Sequence, residues 1–214
     1  PATQSDKPVP LLGKRQEAFL HEWSTDWMGD DWMKAVFSQT PFICLQTLPD
    51  GTFGGHQAGL QIHPIGQIAP DDTPAADADS NGWPQSGRNR ALAMIKKANA
   101  IHVTGDQHLG YLARYGIEEH QDGTYVLCTP AIANTWPRRW MPKGKPITGD
   151  HLDGFGNMAT VLAVSNPHTY GHEPSALHDR SPGWSLLVCE PTTESILVEV
   201  WPRWASPDAP DSDQ

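Results

Sequence analysis

Apolar residues in this chain cluster into short runs separated by polar, Gly- and Pro-containing stretches, and the spacing within each run predicts its element. After Leu12-Gly13, the residues Phe19, Leu20, Trp23 and Trp27 recur at near-helical intervals, which predicts an amphipathic helix. Lys34 to Phe37 is a short apolar run, and Ile43 to Leu48 is a second strand or the same one resumed after a bend. Arg88 to Asn99 reads as a helix with Ala91, Met94, Ile95 and Ala98 on one face, and it feeds directly into the Ile101 strand. Thr124 to Cys128 predicts a further strand. Met158 to Val164 is nearly all apolar, the pattern of a strand buried on both faces near the centre of a sheet. Trp184 to Glu190 and Ser195 to Trp201 predict a β-hairpin around Pro191-Thr192-Thr193-Glu194. The mixture is of the α/β (α+β mixed) class.

Between these runs, residues 49–84 are dominated by Gly, Pro, Asp and Ala. So long a loop is uncommon in a compact domain and is usually functional or an insertion. Residues 1–10 read as a Pro-rich loop, residues 11–204 as a single domain, and residues 205–214 as a disordered acidic tail. The chain opens at Pro1 with no initiator Met and no basic-then-apolar leader, so it reads as a piece of a longer polypeptide.

Composition narrows the function classes. With 214 residues, 19% of them charged and 38% hydrophobic, the chain can bury one substantial core. A formal net charge of -10 argues against a general nucleic-acid-binding surface, whose footprint would be basic. No apolar stretch approaches the ~20 residues that span a membrane. The three cysteines, Cys44, Cys128 and Cys189, are widely spaced in apolar runs with no CxxC pair, which predicts buried inert thiols rather than a disulfide scaffold or thiolate zinc site.

The densest chemistry lies where the Ile101–Thr104 strand meets Gly105-Asp106-Gln107-His108-Leu109-Gly110. Gly105 permits a sharp turn and close approach to a ligand. The turn falls at the carboxyl end of a strand, where open α/β sheets gather ligands. A carboxylate and an imidazole two residues apart suit a hard or borderline cation: imidazole nitrogen favours iron or zinc, and carboxylate oxygen favours calcium, manganese or iron.

These motifs, taken in order, resemble a known family. Leu12-Gly13-Lys14-Arg15-Gln16 through Trp23, Ser38-Gln39-Thr40-Pro41-Phe42, Asp79-Ser80-Asn81-Gly82-Trp83-Pro84 with Arg88, and Gly105-Asp106-Gln107-His108 carry the likeness. Thr129-Pro130-Ala131 through Trp136-Pro137-Arg138-Arg139-Trp140 and Gly154-Phe155-Gly156-Asn157 extend it. Together they resemble the C-terminal half of the PhoD-like (alkaline phosphatase D type) metallophosphoesterases.

The resemblance implies a four-layer αββα sandwich and a binuclear centre of divalent or trivalent metal ions (Fe, Ca, Mn or Zn) that hydrolyses small-molecule phosphate esters. In such a centre the metals generate hydroxide and clamp the attacking and leaving oxygens of an in-line displacement. Asp106 and His108 match the family's Gly-Asp-x-His element and are expected to be catalytic metal ligands. The family's earlier ligands (an Asp, an Asp with a nearby Tyr, and an Asn) lie in an N-terminal half. This chain is therefore expected to lack them, to need that missing half of the same polypeptide, and to be inactive alone. Family members are often exported to the periplasm or beyond. The competing reading is a non-catalytic metal- or ligand-binding module on the same fold.

Other residues carry two readings each. Arg138 and Arg139, with Lys143 and Lys145 behind them, form a basic cluster that would grip a phosphate oxygen pair, or a solvated charged loop. Gln39 would orient water or phosphate, or serve as a hydrogen-bonded structural amide. Trp136 and Trp140 wall a pocket or pack beneath the loop. Asp79 supports a ligand or forms a turn, as Asp-Ser-Asn-Gly does unaided. His168, His172 and His178 sit in a loop where Pro167 and Pro174 oppose the helix a metal pair would need. His102 reads as a packed or hydrogen-bonded strand residue, and Asp153 to Asn157 as a tight turn. Ser38 has no base beside it in sequence, so a serine-hydrolase mechanism has little support.

Overall fold

The computed structural model describes residues 9–49, 71–77, 80–132, 138–166, 183–202 and 208. Asp79, Trp136, His168, His172, His178, most of the long loop and the acidic tail apart from Asp208 lie outside these residues.

The chain builds α1 (Lys14–Thr25), β1 (Lys34–Phe37), β2 (Thr47–Pro49), β3 (Asp72–Pro74), α2 (Gln85–Lys97), β4 (Ala100–Thr104), β5 (Tyr111–Tyr115), β6 (Tyr125–Cys128), β7 (Gly149–Leu152), β8 (Met158–Val164), β9 (Gly183–Glu190) and β10 (Ser195–Pro202). The main sheet has six strands in the order β1-β4-β6-β5-β8-β7. Its β1, β4 and β6 run parallel, and β6, β5, β8 and β7 are joined antiparallel. The fold is mixed α/β, as the pattern predicts.

Side-chain alternation sorts the two faces of this sheet. On β5, Tyr111, Ala113 and Tyr115 are fully buried while Leu112 and Arg114 are only partly so. The buried face packs on α2, whose Ala91, Leu92 and Ile95 form an apolar stripe continued by Ala98 at its C-cap, and on Phe42, Ile43 and Leu45. Toward the opposite face lies the β9–β10 hairpin, whose Ile196 and Val198 share a cleft with Ile101, Leu112 and Tyr125. The hairpin's ends are fixed by stacked Trp184 and Trp201, with ring centroids 5.4 Å apart.

Three predicted elements differ in detail. β8 lies between β5 and β7, one strand from the sheet edge, and Leu162 is exposed at 44% because its carboxyl half emerges from the core. The predicted Ile43–Leu48 strand is mostly irregular, and only Thr47–Pro49 pairs, with β3. Phe19, on the predicted apolar stripe of α1, is 64% exposed, whereas Trp23 packs against the core. Cys44 and Cys128 are buried free thiols as expected, with burial pushing each up to about 12, but Cys189 is exposed on the hairpin. The predicted turn at Asp153–Asn157 is present: the Asp153 carboxylate accepts the Phe155 and Asn157 backbone N–H groups at 2.9 and 2.8 Å. Gly154 sits so close to Ala75 that a Cβ would lie 2.0 Å from the Ala75 carbonyl carbon.

α1 has no basic residue in its last turn, and Lys34 of β1 supplies the missing charge. Its ammonium donates to the Trp23 carbonyl and, at 2.7 Å, to the Asp26 carbonyl, and it lies 4.5 Å from the Trp27 ring centroid. The helix-end charge and the cation–π contact together set the expected effect. Lys34→Met is predicted to cost about 1–2 kcal/mol in urea unfolding; a change within experimental error would show that the indole contacts carry no energy. Among the described residues, no helix is long and apolar enough to cross a membrane.

Candidate functional site

Parallel pairing of β1 with β4 sets Phe37 opposite Val103, and β4 with β6 sets Thr104 opposite Cys128. The carboxyl ends of three parallel strands therefore open on one side of the sheet. Phe37, Ser38, Gln39, Val103, Thr104 and Thr129 line a shallow depression there. The turn carrying Asp106 and His108 leaves β4 at the same level, the location expected for ligand binding in a sheet of this kind.

Backbone hydrogen bonds tie the three strand ends together. Gly105 N–H donates to the Gln39 carbonyl at 3.1 Å, and the Thr104 hydroxyl donates to the same oxygen at 3.1 Å. Thr129 N–H donates to the Thr104 carbonyl at 2.7 Å, and the Cys128 thiol to the Gly105 carbonyl at 3.4 Å. The turn itself is strained. Gln107 N–H donates to the Gly105 carbonyl at 2.8 Å across Asp106, whose φ is 65°. An i→i+2 bond about a residue of positive φ is the rarer, strained hand of γ-turn. His108 follows at φ 52°, so two non-glycine residues in one short turn occupy the left-handed region.

Gln39 is brought to Asp106 as well: its Nε2 donates to the Asp106 carboxylate at 3.2 Å. Of the sequence candidates, then, Asp106, His108 and Gln39 share this corner of the molecule. Arg138 and Arg139 do not form an open cationic patch. They are 2% and 4% exposed, and each is engaged by a carboxylate: Arg138 pairs with Asp77 at 2.7 Å, and Arg139 grips both oxygens of Asp72 at 2.6 and 2.7 Å. Burial beside Trp140 and the β2–β3 ribbon explains the difference, because a guanidinium taken out of water needs a paired anion. Trp140 is fully buried beneath this segment and donates its indole N–H to the Ile147 carbonyl at 3.1 Å.

The donor chemistry of Asp106 and His108 suits a metal ion, but the donor number does not complete one. Among the described residues, no group of three or more His, Cys, Asp and Glu side chains could hold a metal. A binuclear centre needs further ligands, so no chemical step is built on a metal here.

His102 reads in sequence as a packed or hydrogen-bonded strand residue, and it is fully buried. Less visible in sequence was its partner: His102 Nε2 lies 2.7 Å from the Ser38 hydroxyl, and Nδ1 lies 2.7 Å from the Tyr115 hydroxyl. The strand parity that sets His102 on the opposite face from Ile101 and Val103 is the available clue. The arrangement is not a nucleophile and base. Burial pushes the His102 imidazole down to about 4, and its far nitrogen meets a phenol instead of the carboxylate that would stabilise an imidazolium. Compared with known protein families, curated proteins and solved structures, the chain matches none.

Proposed function

We propose that the chain belongs to a phosphoric ester hydrolase of the PhoD-like metallophosphoesterase type, with Asp106 and His108 contributing donors to its metal centre and Gln39 orienting the Asp106 carboxylate. The observation that carries this reading is the strained turn itself. Holding two non-glycine residues at positive φ costs of order 1–3 kcal/mol each, and such outliers persist where a site needs side chains aimed in a fixed direction. Here the two residues sit in the turn that leaves β4, beside the carboxyl ends of β1, β4 and β6, with Asp106 bonded to Gln39. Further ligands would come from residues outside those described or from another segment of the polypeptide. Arg138 and Arg139 hold the scaffold in this reading and do not contact the ester.

The test separates strain from chemistry. Asp106→Gly and His108→Gly should each stabilise the fold by about 1 kcal/mol, since glycine adopts positive φ without penalty. The same variants should lose saturable Mn(II) or Zn(II) binding by calorimetry. They should also lower p-nitrophenyl phosphate and bis-p-nitrophenyl phosphate hydrolysis by at least ~100-fold in the complete enzyme, the scale of losing a positioned catalytic group. Near-normal turnover in His108→Ala would sink the assignment. A non-catalytic binding module remains the second reading, favoured by the incomplete donor set among the described residues. It predicts cation binding that Asp106→Gly removes, with no ester hydrolysis in any form of the protein.

A further inference from the structure

The groups around His102 can be given one direction of hydrogen bonding. Phe42 N–H lies 3.1 Å from the Tyr115 hydroxyl oxygen and can only donate to it. The Ser38 hydroxyl lies 2.8 Å from the Thr40 carbonyl, which can only accept. With both ends fixed, one arrangement satisfies every group between them: Tyr115 O–H donates to His102 Nδ1, His102 Nε2–H donates to Ser38 Oγ, and Ser38 O–H donates to Thr40. The reverse tautomer sets His102 Nδ1–H against a Tyr115 oxygen that already accepts from Phe42, and strands the phenol proton in a fully buried place.

We propose that Ser38, His102 and Tyr115 are positioning residues: a one-way relay that runs from the core of the sheet to the loop 38–42 and fixes Gln39, and through it Asp106. The route is short and continuous. Tyr115 lies on β5 in the core, His102 on β4, and Ser38 at the end of β1. Ser38 and Thr40 are the two neighbours of Gln39, so a clamp between them sets the direction of the Gln39 carbonyl and side chain. That carbonyl accepts from Gly105 and Thr104, and that side chain donates to Asp106. Thr40 is held from its other side by Asn81, whose Nδ2 donates to the Thr40 hydroxyl at 2.8 Å. Burial of the His102 ring, with Arg88 and no carboxylate behind Tyr115, keeps the relay neutral. The inference rests on this corner being the site, not on which ester the site turns over.

A nuclear magnetic resonance experiment on the full chain tests it without an activity assay. In the wild-type protein at pH 7, the long-range nitrogen correlations of His102 should show the proton on Nε2. A proton on Nδ1 would overturn the relay outright, and that measurement needs no variant. Ser38→Ala changes a half-exposed residue and deprives the buried Nε2–H of its acceptor, so His102 should move toward the other tautomer. Gly105 N–H, bonded to Gln39, should then exchange with solvent at least ~10-fold faster while amides of β8 stay protected; each tenfold corresponds to about 1.4 kcal/mol of opening free energy. Tyr115→Phe removes a donor to Nδ1 and the acceptor of Phe42 N–H but leaves the Nε2–H to Ser38, the bond nearest Gln39, in place, so its Gly105 exchange should change less. Equal acceleration in both variants, or none in Ser38→Ala, would mean that His102 merely packs. If the relay behaves as stated while no form of the protein hydrolyses phosphate esters, the positioning role stands and the hydrolase reading falls.

Discussion

Asp72→Ala is expected to destabilise the protein by about 3–5 kcal/mol, the largest loss from any single polar residue described. Asp72 is fully buried and Arg139 is 4% exposed. The guanidinium bonds both carboxylate oxygens, at 2.6 and 2.7 Å, and the Thr47 hydroxyl donates to the same carboxylate at 3.0 Å. Lys143 N–H adds a bond to the Asp72 carbonyl at 2.8 Å, and Thr47 N–H reaches the Arg139 carbonyl at 2.9 Å. Removing the carboxylate leaves a buried cation and a buried hydroxyl without their anion, which costs more than the pair contributes over an apolar replacement. Thermal unfolding should therefore move down by about 10 °C or more for a domain of this size. The double variant Asp72→Leu/Arg139→Met should recover most of the loss, because no charge is then stranded. A single variant as stable as wild type, or a double variant no better than the single, would show that the pair is hydrated and does not anchor the ribbon.

That ribbon also marks where the sequence stops being readable. β2 and β3 are three residues each, and each ends in a proline, Pro49 and Pro74. β3 has no strand propensity to announce it, and of the predicted Ile43–Leu48 run only Thr47–Pro49 pairs; the ribbon is held by an ion pair between residues 67 positions apart. The same pair takes Arg139, one of the basic residues that reads in sequence as a phosphate grip, into the buried scaffold, and Asp77 does the same for Arg138. β5 escapes the pattern for a different reason. Tyr111-Leu112-Ala113-Arg114-Tyr115 does alternate, but over only five residues, and Gly110 and Gly116 at its borders suggest loop. By contrast, α2, β4, β6 and β8 follow from their apolar patterns because each buries apolar residues in the core, whereas the terminal hairpin, with Leu186, Val188 and Leu197 exposed, follows from its β-rich runs and the turn between them.

The candidate site divides along the same line. The place of Asp106 and His108 at the end of a buried strand follows from Ile101, Val103 and Gly105. The meeting of Gln39 with Asp106, and of Ser38 with His102, depends on β1 lying parallel to β4 with Phe37 opposite Val103. Local sequence cannot supply that register. It emerges from two strands, 66 positions apart, sharing one core, with Val36 packed against the core and Val103 and Leu127 part of the same three-strand parallel unit.

Acidification should weaken the fold through His102 by about 3 kcal/mol between pH 6.5 and pH 4, an amount fixed by the separation of its native and unfolded affinities for a proton. The native imidazole is pushed down to about 4 by burial, against 6.5 in the unfolded chain. In that interval the unfolded state binds a proton that the native state refuses, so stability is full above pH 6.5 and declines until native His102 itself begins to titrate near pH 4. The groups facing the ring are the Ser38 hydroxyl from the loop after β1, the Phe42 ring 5.1 Å away, and the Tyr115 hydroxyl from β5, with Arg88 of α2 behind that phenol. None of these offers a negative charge to an imidazolium. Asp153 acts with the opposite sign: burial raises its carboxyl, so acid relieves part of its cost. The contribution of His102 is therefore read by difference. Glutamine is uncharged at every pH and can place an amide N–H near the position of Nε2, so His102→Gln should flatten the decline. Urea unfolding of wild type and variant from pH 4 to pH 8 should give curves that converge toward acid and separate toward neutral pH. Parallel curves would mean that the imidazole reaches water in the native state, and the relay would lose the dry environment that keeps it neutral.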